Sequence, residues 1–341
     1  MTVDFDATLV MPVVSELSEG DRPTLRLAAV KAPPPPRRDT PPMHTAMPLT
    51  GNARATLTLL TGLHAGRLMA VEGASVVIGR AADANLVVDE AGVSRHHARI
   101  ARTPTGGFYV EDLGSTNGTF VGATRVGLSL LDRGDVVQLG PSLRVRFAIV
   151  DSVEEALYRQ LYECSVRDPL TRVFNRKYLA DRLFAEIARA RRAEGDVAVL
   201  MIDLDSLKKV NDSFGHEAGD RALCAVASGI LRVLRVEDVL ARYGGDEFVV
   251  VAVGPDHTDA EQLAERVRAA VEGLNMSAEG HVVRLTTSIG VASLAELAVG
   301  VEPVSALLAM ADSRMYGAKA SGKNQVCMAC TTAKASPALS R

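Results

Sequence analysis

Between residues 53 and 150, short apolar segments follow one another at close spacing, separated by Gly, Asn and Asp. Alternating apolar and polar positions give a segment one buried and one solvated face, which is typical of β-strands. Many short strands of this kind favour two packed antiparallel sheets. The pattern therefore predicts an all-β sandwich over residues 53–150.

From residue 168 onward the apolar pattern has longer periods and predicts helices between strands. The predicted elements, in order, are helix 176–192, strand 197–203, a helix after Gly219-Asp220, a hairpin of 239–243 and 248–253, helix 260–274, strand 282–292 and helix 303–320. The order βαββαβ, with helices added at both ends, predicts an α+β ferredoxin-like sheet. Such a sheet is expected to leave one face open to a partner or substrate.

The segments outside these two domains have their own character. Residues 151–167 carry apolar side chains at three- and four-residue steps, which predicts an amphipathic connector helix ended by Pro169 and a possible short dimer seam. The apolar positions are Val153, Leu157, Leu161 and Cys164. Residues 1–52 contain Pro33–Pro36 and no sustained period, so we predict a disordered arm, and residues 328–341 a disordered tail. The second domain is then 168–327.

The overall composition of the chain limits which classes of partner it is expected to bind. With 341 residues the chain has room for two ordinary domains, and its net charge of −3 argues against nucleic acid as a ligand. No apolar run approaches the roughly 18 residues of a membrane helix, and the start of the chain lacks the basic residues of a secretory signal. We expect a cytoplasmic protein that binds neither membrane nor nucleic acid.

The four cysteines are too few for a disulfide framework in a chain of this length. Cys327 and Cys330 form a CxxC pair, but no second pair or histidine cluster lies nearby to complete a zinc site. A tail pair without function is the simpler interpretation. Cys164 and Cys224 fall on apolar helical faces, where we expect them to pack.

Carboxylates gather where two predicted strands end. The strand 197–202 runs into Asp203 and Asp205, and the turn Gly244-Gly245 brings Asp246 and Glu247 beside a neighbouring strand. We expect both glycines to supply the positive φ of a tight hairpin. Carboxylate and main-chain oxygens suit a divalent cation that retains positions for substrate phosphates, so the pattern indicates a nucleotidyl-transfer site. A solvated hairpin tip is the alternative.

Five separated motifs extend this pattern: DPLTRVFNR, DLDSLKKVNDSFGHEAGD, RVED, RYGGDEF and ADSRMYGAKASGKN. In order and content, residues 168–326 resemble the GGDEF family, the diguanylate cyclases. The resemblance implies an enzyme that joins two GTP molecules into cyclic di-GMP and releases two pyrophosphates. It also implies a homodimer, because each domain carries one GTP and two must face each other.

The resemblance also assigns catalytic and metal-binding roles. Asp203, the Leu204 carbonyl and Asp246 would ligate Mg²⁺ or Mn²⁺, Asp246 would also be the base for the attacking hydroxyl, and Glu247 is a weaker candidate for either role. Lys208 would contact the triphosphate as a third catalytic residue. Charge on the phosphate is met by cations rather than by covalent chemistry in such reactions.

Substrate contacts follow from the same motifs. Asn211 and Asp220 would read the guanine edge, with His216 in the same pocket, and Lys319 and Lys323 would meet the triphosphate. Asp220 favours GTP over ATP, since members that make mixed purine dinucleotides tend to lose it. A helix N-cap is an alternative or additional role for Asp220.

The RVED motif resembles the family's RxxD inhibitory site, where product binds. Arg235 would grip a guanine and a phosphate, Asp238 would accept from the base, and Arg266 or Arg268 would add a second grip. An exposed ion pair at a helix end is the alternative. Three positions depart from the family pattern: Arg172 replaces a usual Gly, Leu207 a usual Phe and Lys323 a usual Arg. None removes a metal ligand, but a modest turnover is expected.

Three loops of the predicted sandwich carry an arginine fork, hydroxyls and an amide, a set suited to phosphate. The segment resembles a forkhead-associated (FHA) domain, the phosphothreonine-peptide reader. The implied roles are phosphate binding by Arg80 and Ser94, assistance from Arg95 and Thr116, and a bond from Asn117 to the peptide backbone. His97 matches the family's structural histidine. Loops that only stabilise a sandwich are the alternative.

Together these features predict a diguanylate cyclase regulated by phosphothreonine at the FHA domain and by its own product. The phosphothreonine would lie on a partner protein or on the chain's own arm, at Thr8, Thr24 or Thr40. The alternatives are a catalytically idle cyclic di-GMP receptor and a phosphopeptide-binding scaffold.

Overall fold

The computed structural model describes residues 53–254, 257–298 and 300–328. The predictions for the arm 1–52, for Cys330 and for the tail beyond residue 328 lie outside the described residues. No helix within the described part of the chain has the length and hydrophobicity to span a membrane.

Residues 54–150 form the predicted β-sandwich. Its strands are β1 (Arg54–Leu59), β2 (Leu68–Ala70), β3 (Ser75–Gly79), β4 (Leu86–Val87), β5 (Ala98–Arg102), β6 (Phe108–Asp112), β7 (Thr119–Val121), β8 (Thr124–Val126), β9 (Leu128–Leu131), β10 (Val136–Leu139) and β11 (Leu143–Val150). One sheet has the order β2-β1-β11-β10-β7-β8 and the other β4-β3-β5-β6-β9. Alternate residues of β11 are buried, and Phe147 packs on Phe108 with ring centroids 5.2 Å apart. The period of two read from the sequence thus becomes the core between the sheets.

The second domain begins after a connector helix. Its elements are α1 (Ser152–Val166), β12 (Phe174–Asn175), α2 (Arg176–Ala193), β13 (Val197–Leu204), α3 (Leu207–Phe214), α4 (His216–Leu231), β14 (Val239–Gly244), β15 (Glu247–Val253), α5 (His257–Glu272), β16 (Met276–Ala278), β17 (His281–Val283), β18 (Thr287–Ser293), a 3₁₀ turn (Leu294–Glu296), α6 (Pro303–Ala320) and β19 (Val326–Cys327). The main sheet has the order β12-β14-β15-β13-β18-β19. Its four inner strands are antiparallel and have the ferredoxin-like order, which confirms the predicted fold.

Helices cover both faces of this sheet, so the prediction of an open face is wrong. Leu200 and Ile202 of β13 pack in one cluster with side chains of α4 and α5. Val199 and Met201 point the other way, into a cluster with side chains of α2 and α6. The reason lies in β13 itself, where every residue is buried: a strand that is apolar on both sides must be covered on both sides.

Two predicted elements differ in the structure. The helix predicted after Gly219-Asp220 is α4, which begins earlier, at His216, and follows a separate helix, α3, that was not predicted; the two meet at Gly215 with φ +79°. The strand predicted at 282–292 is divided between β17, which pairs with β16, and β18, which pairs with β13.

Helix α1 turns its predicted apolar stripe to solvent. Asp151 caps the helix by accepting from the backbone N–H groups of Val153 and Glu154. The side chains of Val153, Leu157 and Leu161 are 76%, 54% and 56% exposed. Cys164 is exposed as well, so the expectation that it packs is wrong. Tyr162, on another side of α1, packs against the second domain instead.

Candidate functional site

Asp203 and the hairpin carboxylates meet at one edge of the main sheet. Asp203, near the end of β13, is the register partner of Glu247 at the start of β15. The backbone N–H of Leu204 donates to the Asp246 carbonyl over 3.1 Å, which ties the hairpin turn to the strand end. The structure thus brings together the acidic residues that the sequence placed in two distant motifs.

Arg242 braces the hairpin turn from behind. Its guanidinium donates twice to the Gly245 carbonyl, at 3.0 and 2.7 Å, and also to Asp168 at 3.2 Å. Gly245 has φ +41°, whereas Gly244 ends β14 next to a register shift, so only one of the two glycines takes the positive φ predicted for both. The Arg242–Asp168 pair connects RYGGDEF to DPLTR, a link that the sequence did not show.

The strand-end site gathers several carboxylates in a partly buried environment. Burial raises the pKa of Asp203 to about 6; the neighbouring Asp246 and Glu247 add to the rise, while a hydrogen bond from Lys319 opposes it. The Lys319 Nζ atom lies 2.6 Å from Asp203 Oδ2. Burial, with Asp312 and Asp246 nearby, also raises the pKa of Glu247. Carboxylates that resist ionisation together are stabilised by a cation placed among them.

The donor set fits a divalent ion only when substrate completes it. Among residues 53–254, 257–298 and 300–328, no group of three or more His, Cys, Asp or Glu side chains is arranged to hold a metal ion. Two carboxylates and a main-chain oxygen match the habit of Mg²⁺, which keeps several positions for water and substrate phosphates. The residues present therefore fit a divalent ion whose ligands come partly from the protein and partly from a phosphate of a bound nucleotide.

The predicted base-reading residues lie on the α3–α4 pair. The Oδ1 atom of Asn211 on α3 is buried without a hydrogen-bond partner among the described residues. A Cβ on Gly219 of α4 would lie 1.8 Å from that oxygen, so the glycine makes room for the amide. His216 and Asp220 are exposed on α4. Because the N-cap of α4 is Gly215 and Asp220 lies one turn inside, the N-cap role for Asp220 is wrong.

The remaining predicted phosphate contacts lie at two places. Lys208 is exposed in the first turn of α3, and Lys323 is exposed in the turn after α6. Lys323 has φ +65° and the next residue, Asn324, has φ +47°. Of the three lysines, Lys319 is the one that contacts a carboxylate of the edge.

Asp205, the second carboxylate at the end of the predicted strand, had no predicted role and lies apart from the hairpin carboxylates. Its carboxylate is buried and turned towards β18, where it accepts from Thr286 and Ser288 at 2.9 and 2.8 Å. It is therefore not a second acid facing the hairpin. The spaced hydroxyls of Thr286 and Ser288 were the available signal, and they were not connected to Asp205 by any local pattern.

Arg235 and Asp238 form a tight turn before β14. The Arg235 N–H donates to the Asp238 carboxylate at 2.9 Å, and a small cleft of about 60 Å³ lies beside them, lined also by Asp259 and Arg266. Arg268 is held by Glu265 and Glu272 and donates to Asn324 at 2.8 Å. Of the two arginines considered for a second grip, Arg266 is the one that lines this cleft.

Three adjacent loops of the sandwich bring together Arg80, Ser94, Arg95, Thr116 and Asn117. The Ser94 hydroxyl accepts from the Thr116 N–H at 3.1 Å, and the Asn117 amide donates to the Gly92 carbonyl at 2.8 Å. The loops approach so closely that a Cβ on Gly79 would lie 2.0 Å from the Arg95 carbonyl. The result is an exposed patch of hydroxyls, amides and two guanidinium groups.

His97 holds these loops from inside the sandwich, as expected. The ring is fully buried, its Nδ1 accepts from the Ser94 N–H at 3.0 Å, and its Nε2 lies 3.1 Å from the Gly118 carbonyl. Burial lowers the pKa of His97. This geometry requires a neutral ring with its proton on Nε2.

Fold and site together define a class of protein: a sandwich with two exposed arginines on its loops, joined to a ferredoxin-like domain with an acidic strand-end site. Residues 165–325 match the family model described as "Diguanylate cyclase, GGDEF domain", and residues 76–140 match that of the FHA domain. The α+β domain belongs to the GGDEF family, and the sandwich is an FHA domain.

Among relatives, diguanylate cyclase DgcP of Pseudomonas aeruginosa is 36% identical over 162 residues, which is 48% of this chain and 24% of DgcP. Response regulator PleD of Caulobacter vibrioides is 41% identical over 166 residues, 48% of this chain and 36% of PleD. The chain thus spans well under half the length of these relatives. The crystal structure of the coiled coil and GGDEF domain of DgcB from Caulobacter crescentus, in complex with c-di-GMP, aligns with a TM-score of 0.48 and 28% identity over 52% of this chain and 92% of that chain.

Proposed function

We propose that this protein is a diguanylate cyclase that condenses two GTP into cyclic di-GMP and two pyrophosphates. The observation that carries the proposal is the meeting of Asp203 with Asp246 and Glu247 at one strand end, with Lys319 against them. In this reaction the 3′-hydroxyl of one GTP attacks the α-phosphorus of the other. The protein's part is positioning and electrostatics rather than covalent chemistry.

Asp203, the Leu204 carbonyl and Asp246 would hold Mg²⁺ or Mn²⁺. The ion would neutralise the charge that develops on the transferred phosphate. The raised pKa of Asp203 agrees with this role, since its burial and its acidic neighbours disfavour the bare carboxylate. Asp246 would also accept the proton of the attacking hydroxyl, with Glu247 as the weaker candidate.

Lysines and an amide would orient the nucleotide. Lys319 leaves its pairing with Asp203 for a triphosphate oxygen, joined by Lys208 and Lys323. Asn211 offers a buried amide oxygen without a partner in the described structure, as an edge that reads guanine requires. Asp220 and His216 complete that pocket from α4.

Catalysis would require two copies of the chain. One strand-end site holds one GTP, so its partner substrate must come from the same site on a second protomer. The exposed stripe of Val153, Leu157 and Leu161 on α1 supports a homodimer, because a row of large apolar side chains at this spacing is suited to a helix of a second copy.

Product would bind at the Arg235 turn and restrain the enzyme. Arg235 and Arg266 line one cleft, and Asp238 is fixed there by the backbone of Arg235. Two guanidinium groups beside a carboxylate match the phosphates and the base edge of a guanine nucleotide. The same cleft favours the second candidate, a catalytically idle cyclic di-GMP receptor.

The FHA domain would transmit phosphothreonine binding, on a partner protein or on the arm 1–52, to the cyclase. Leu63 packs into the cyclase core cluster and His64 lies 3.4 Å from the Tyr162 hydroxyl of α1. A cleft of about 650 Å³ is lined by α2 and by residues 87–91, which lead from the end of β4 into the loop that carries Ser94. A ligand at Ser94 would thereby act on the helices that set how two cyclase domains meet.

The decisive assay is purified protein with GTP and Mg²⁺, with product read by chromatography. We expect cyclic di-GMP from the wild type and none from Asp246→Ala, while Glu261→Ala, at an exposed carboxylate of α5, behaves as wild type. A wild type without product that binds cyclic di-GMP through Arg235 would instead be a receptor. With neither property, a phosphopeptide scaffold would remain. Adding phosphothreonine peptide and finding no change in dimerisation or turnover would contradict the regulatory part.

A further inference from the structure

Asp205 is the best-connected buried carboxylate beside the strand-end site. It is 6% exposed, and it accepts from the Thr286 hydroxyl at 2.9 Å, the Ser288 hydroxyl at 2.8 Å and the Asn324 N–H at 3.1 Å. Its own N–H donates to the Thr286 carbonyl at 2.8 Å. A buried charge is tolerated only when it is fully hydrogen-bonded, so this set of donors specifies a carboxylate here.

These bonds fasten the segment that carries the proposed ion ligands. Asp205 directly follows Asp203 and Leu204, and the Thr287 hydroxyl holds the Asp203 carbonyl at 2.7 Å. Ser206, next along the chain, has φ +63°. A left-handed non-glycine residue persists only where its surroundings hold it, and Asp205 supplies the hold on one side.

The same carboxylate reaches the segment that carries the proposed phosphate contacts. Lys323 and Asn324 both have positive φ, and the Asn324 N–H donates a hydrogen bond to the Asp205 carboxylate. The Asn324 side chain is clamped by α5, where it accepts from Arg268 and donates to Glu272, each at 2.8 Å. Asp205 therefore joins the end of β13, the start of β18 and the turn after α6.

We propose that Asp205 is a positioning residue that fixes the ion-binding segment Asp203–Leu204 in register with the turn at Lys323. The inference rests on the proposed function, since it concerns how that site is presented to GTP. Asp205 itself touches neither ion nor nucleotide. Its role is to hold two separate chain segments in one frame, where a displacement of about 1 Å can cost about 10²-fold in rate.

Asp205→Asn is the sharpest test, because it keeps the shape and changes the acceptors. In the wild type the two carboxylate oxygens accept hydrogen bonds from three donors. In the variant one of these oxygens is replaced by an amide NH₂, which would face at least one of the three donors and cannot accept from it. We expect Mn²⁺ affinity, measured by electron paramagnetic resonance with a non-hydrolysable GTP analogue, to fall about tenfold or more. Cyclase turnover of the full-length protein should fall with it.

Asp196→Asn is the matched control. Asp196 precedes β13 and bonds the Ser293 hydroxyl and the Ala295 N–H at the opposite end of β18, so it is also a carboxylate that ties β13 to β18. A merely structural role predicts similar losses of thermal stability for both variants and unchanged Mn²⁺ affinity in each. We expect only Asp205→Asn to weaken Mn²⁺ binding.

Ser288→Ala removes a single donor and covers the case in which Asp205→Asn does not fold; it should weaken Mn²⁺ binding about threefold, a fraction of the tenfold outer-shell effect. Mn²⁺ affinity within twofold of wild type in every folded variant at Asp205 or Ser288 would overturn the inference. A wild type that neither binds Mn²⁺ with the analogue nor makes cyclic di-GMP would overturn the proposed function, and this inference with it. If the wild type binds Mn²⁺ with the analogue and makes cyclic di-GMP, the proposed function stands, and the variants then test the role of Asp205 alone.

Discussion

The two charged sites of this protein solve opposite problems. The FHA loops present cationic and hydrogen-bonding groups, Arg80 and Arg95 among them, to solvent, where water screens their charge. The strand-end site of the GGDEF domain crowds Asp203 with Asp246 and Glu247 at the end of a buried strand, and burial raises the pKa of Asp203 to about 6. A buried site of like charges must be held by its surroundings, whereas exposed cationic loops need only be aligned.

The bracing of each site reflects this difference. At the FHA loops a neutral His97 connects main-chain groups of two loops. At the strand-end site the bracing contacts are themselves ionic or charge-assisted: Arg242 with Asp168, and Asp205 with its three donors. We infer that substitutions at the strand-end site will have larger effects than those at the FHA loops.

The largest effect is expected at Asp203. Asp203→Asn removes a proposed ion ligand but keeps the side-chain volume, so turnover of GTP should fall by about 10³-fold or more. The free energy of unfolding should change much less, because a costly buried charge is lost together with its pair to Lys319. Steady-state kinetics and urea unfolding measure the two. Parallel losses in both would mean that Asp203 is structural.

Arg80→Ala should have the next largest effect, on phosphothreonine peptide binding. Loss of a charge-assisted grip on phosphate should weaken the affinity by about 2–3 kcal/mol, or about 10²-fold. Calorimetric titration with phosphorylated and unphosphorylated peptide measures it. Arg146→Ala, at an exposed arginine of β11, is the control and should bind as wild type. If Arg80→Ala binds the phosphorylated peptide as tightly as Arg146→Ala and the wild type do, Arg80 does not contact the phosphate.

His64 tests the contact between the two domains. Burial, with Arg67 and Arg182 nearby, lowers the pKa of His64 from 6.5 to about 4. Between these values the unfolded chain binds the proton more readily than the folded one, so stability should fall as pH drops from about 6.5 to 4. Because the ring is only half-buried, we expect a loss of about 1–2 kcal/mol.

Urea unfolding of wild type and His64→Gln at several pH values measures this loss. The variant should lack the part of the slope that His64 contributes, and a slope identical in the two proteins would exclude a protonation cost at the domain contact. Burial also lowers the pKa of His97, but both proteins contain this residue. The difference between their slopes therefore reports His64 at the domain contact and not His97 in the FHA loops.

The smallest effect is expected at Arg172, which replaces the family's usual glycine and has φ +63°. A left-handed conformation costs a non-glycine residue about 1 kcal/mol, and glycine returns part of this through its freer unfolded chain. Arg172→Gly should therefore stabilise the protein by about 0.5 kcal/mol, measured as a small rise in the unfolding midpoint. Ala180→Gly, at an exposed position inside α2, should instead destabilise it by about 1 kcal/mol.

Much of the fold was readable from local pattern. Helix α6 begins and ends at the predicted residues, because Pro303 at its first turn and the apolar repeat to Ala320 are local signals. The acidic strand end was predictable for the same reason: β13 is apolar until Asp203. Predictions that required knowledge of a neighbour were less successful, as the exposed Cys164 and the covered second face of the sheet show.

What the sequence by itself determined is the set of elements and the chemical types at their ends, since periodicity, turn residues and motif spacing act over a few residues. Only the tertiary structure decided which carboxylate faces the site. Asp203 and Asp205 are two residues apart and chemically identical, yet one meets the hairpin and the other turns to Thr286, Ser288 and Asn324. Those donors come from chain segments more than 80 residues away, and a local pattern carries no information about which distant donors will satisfy a buried charge.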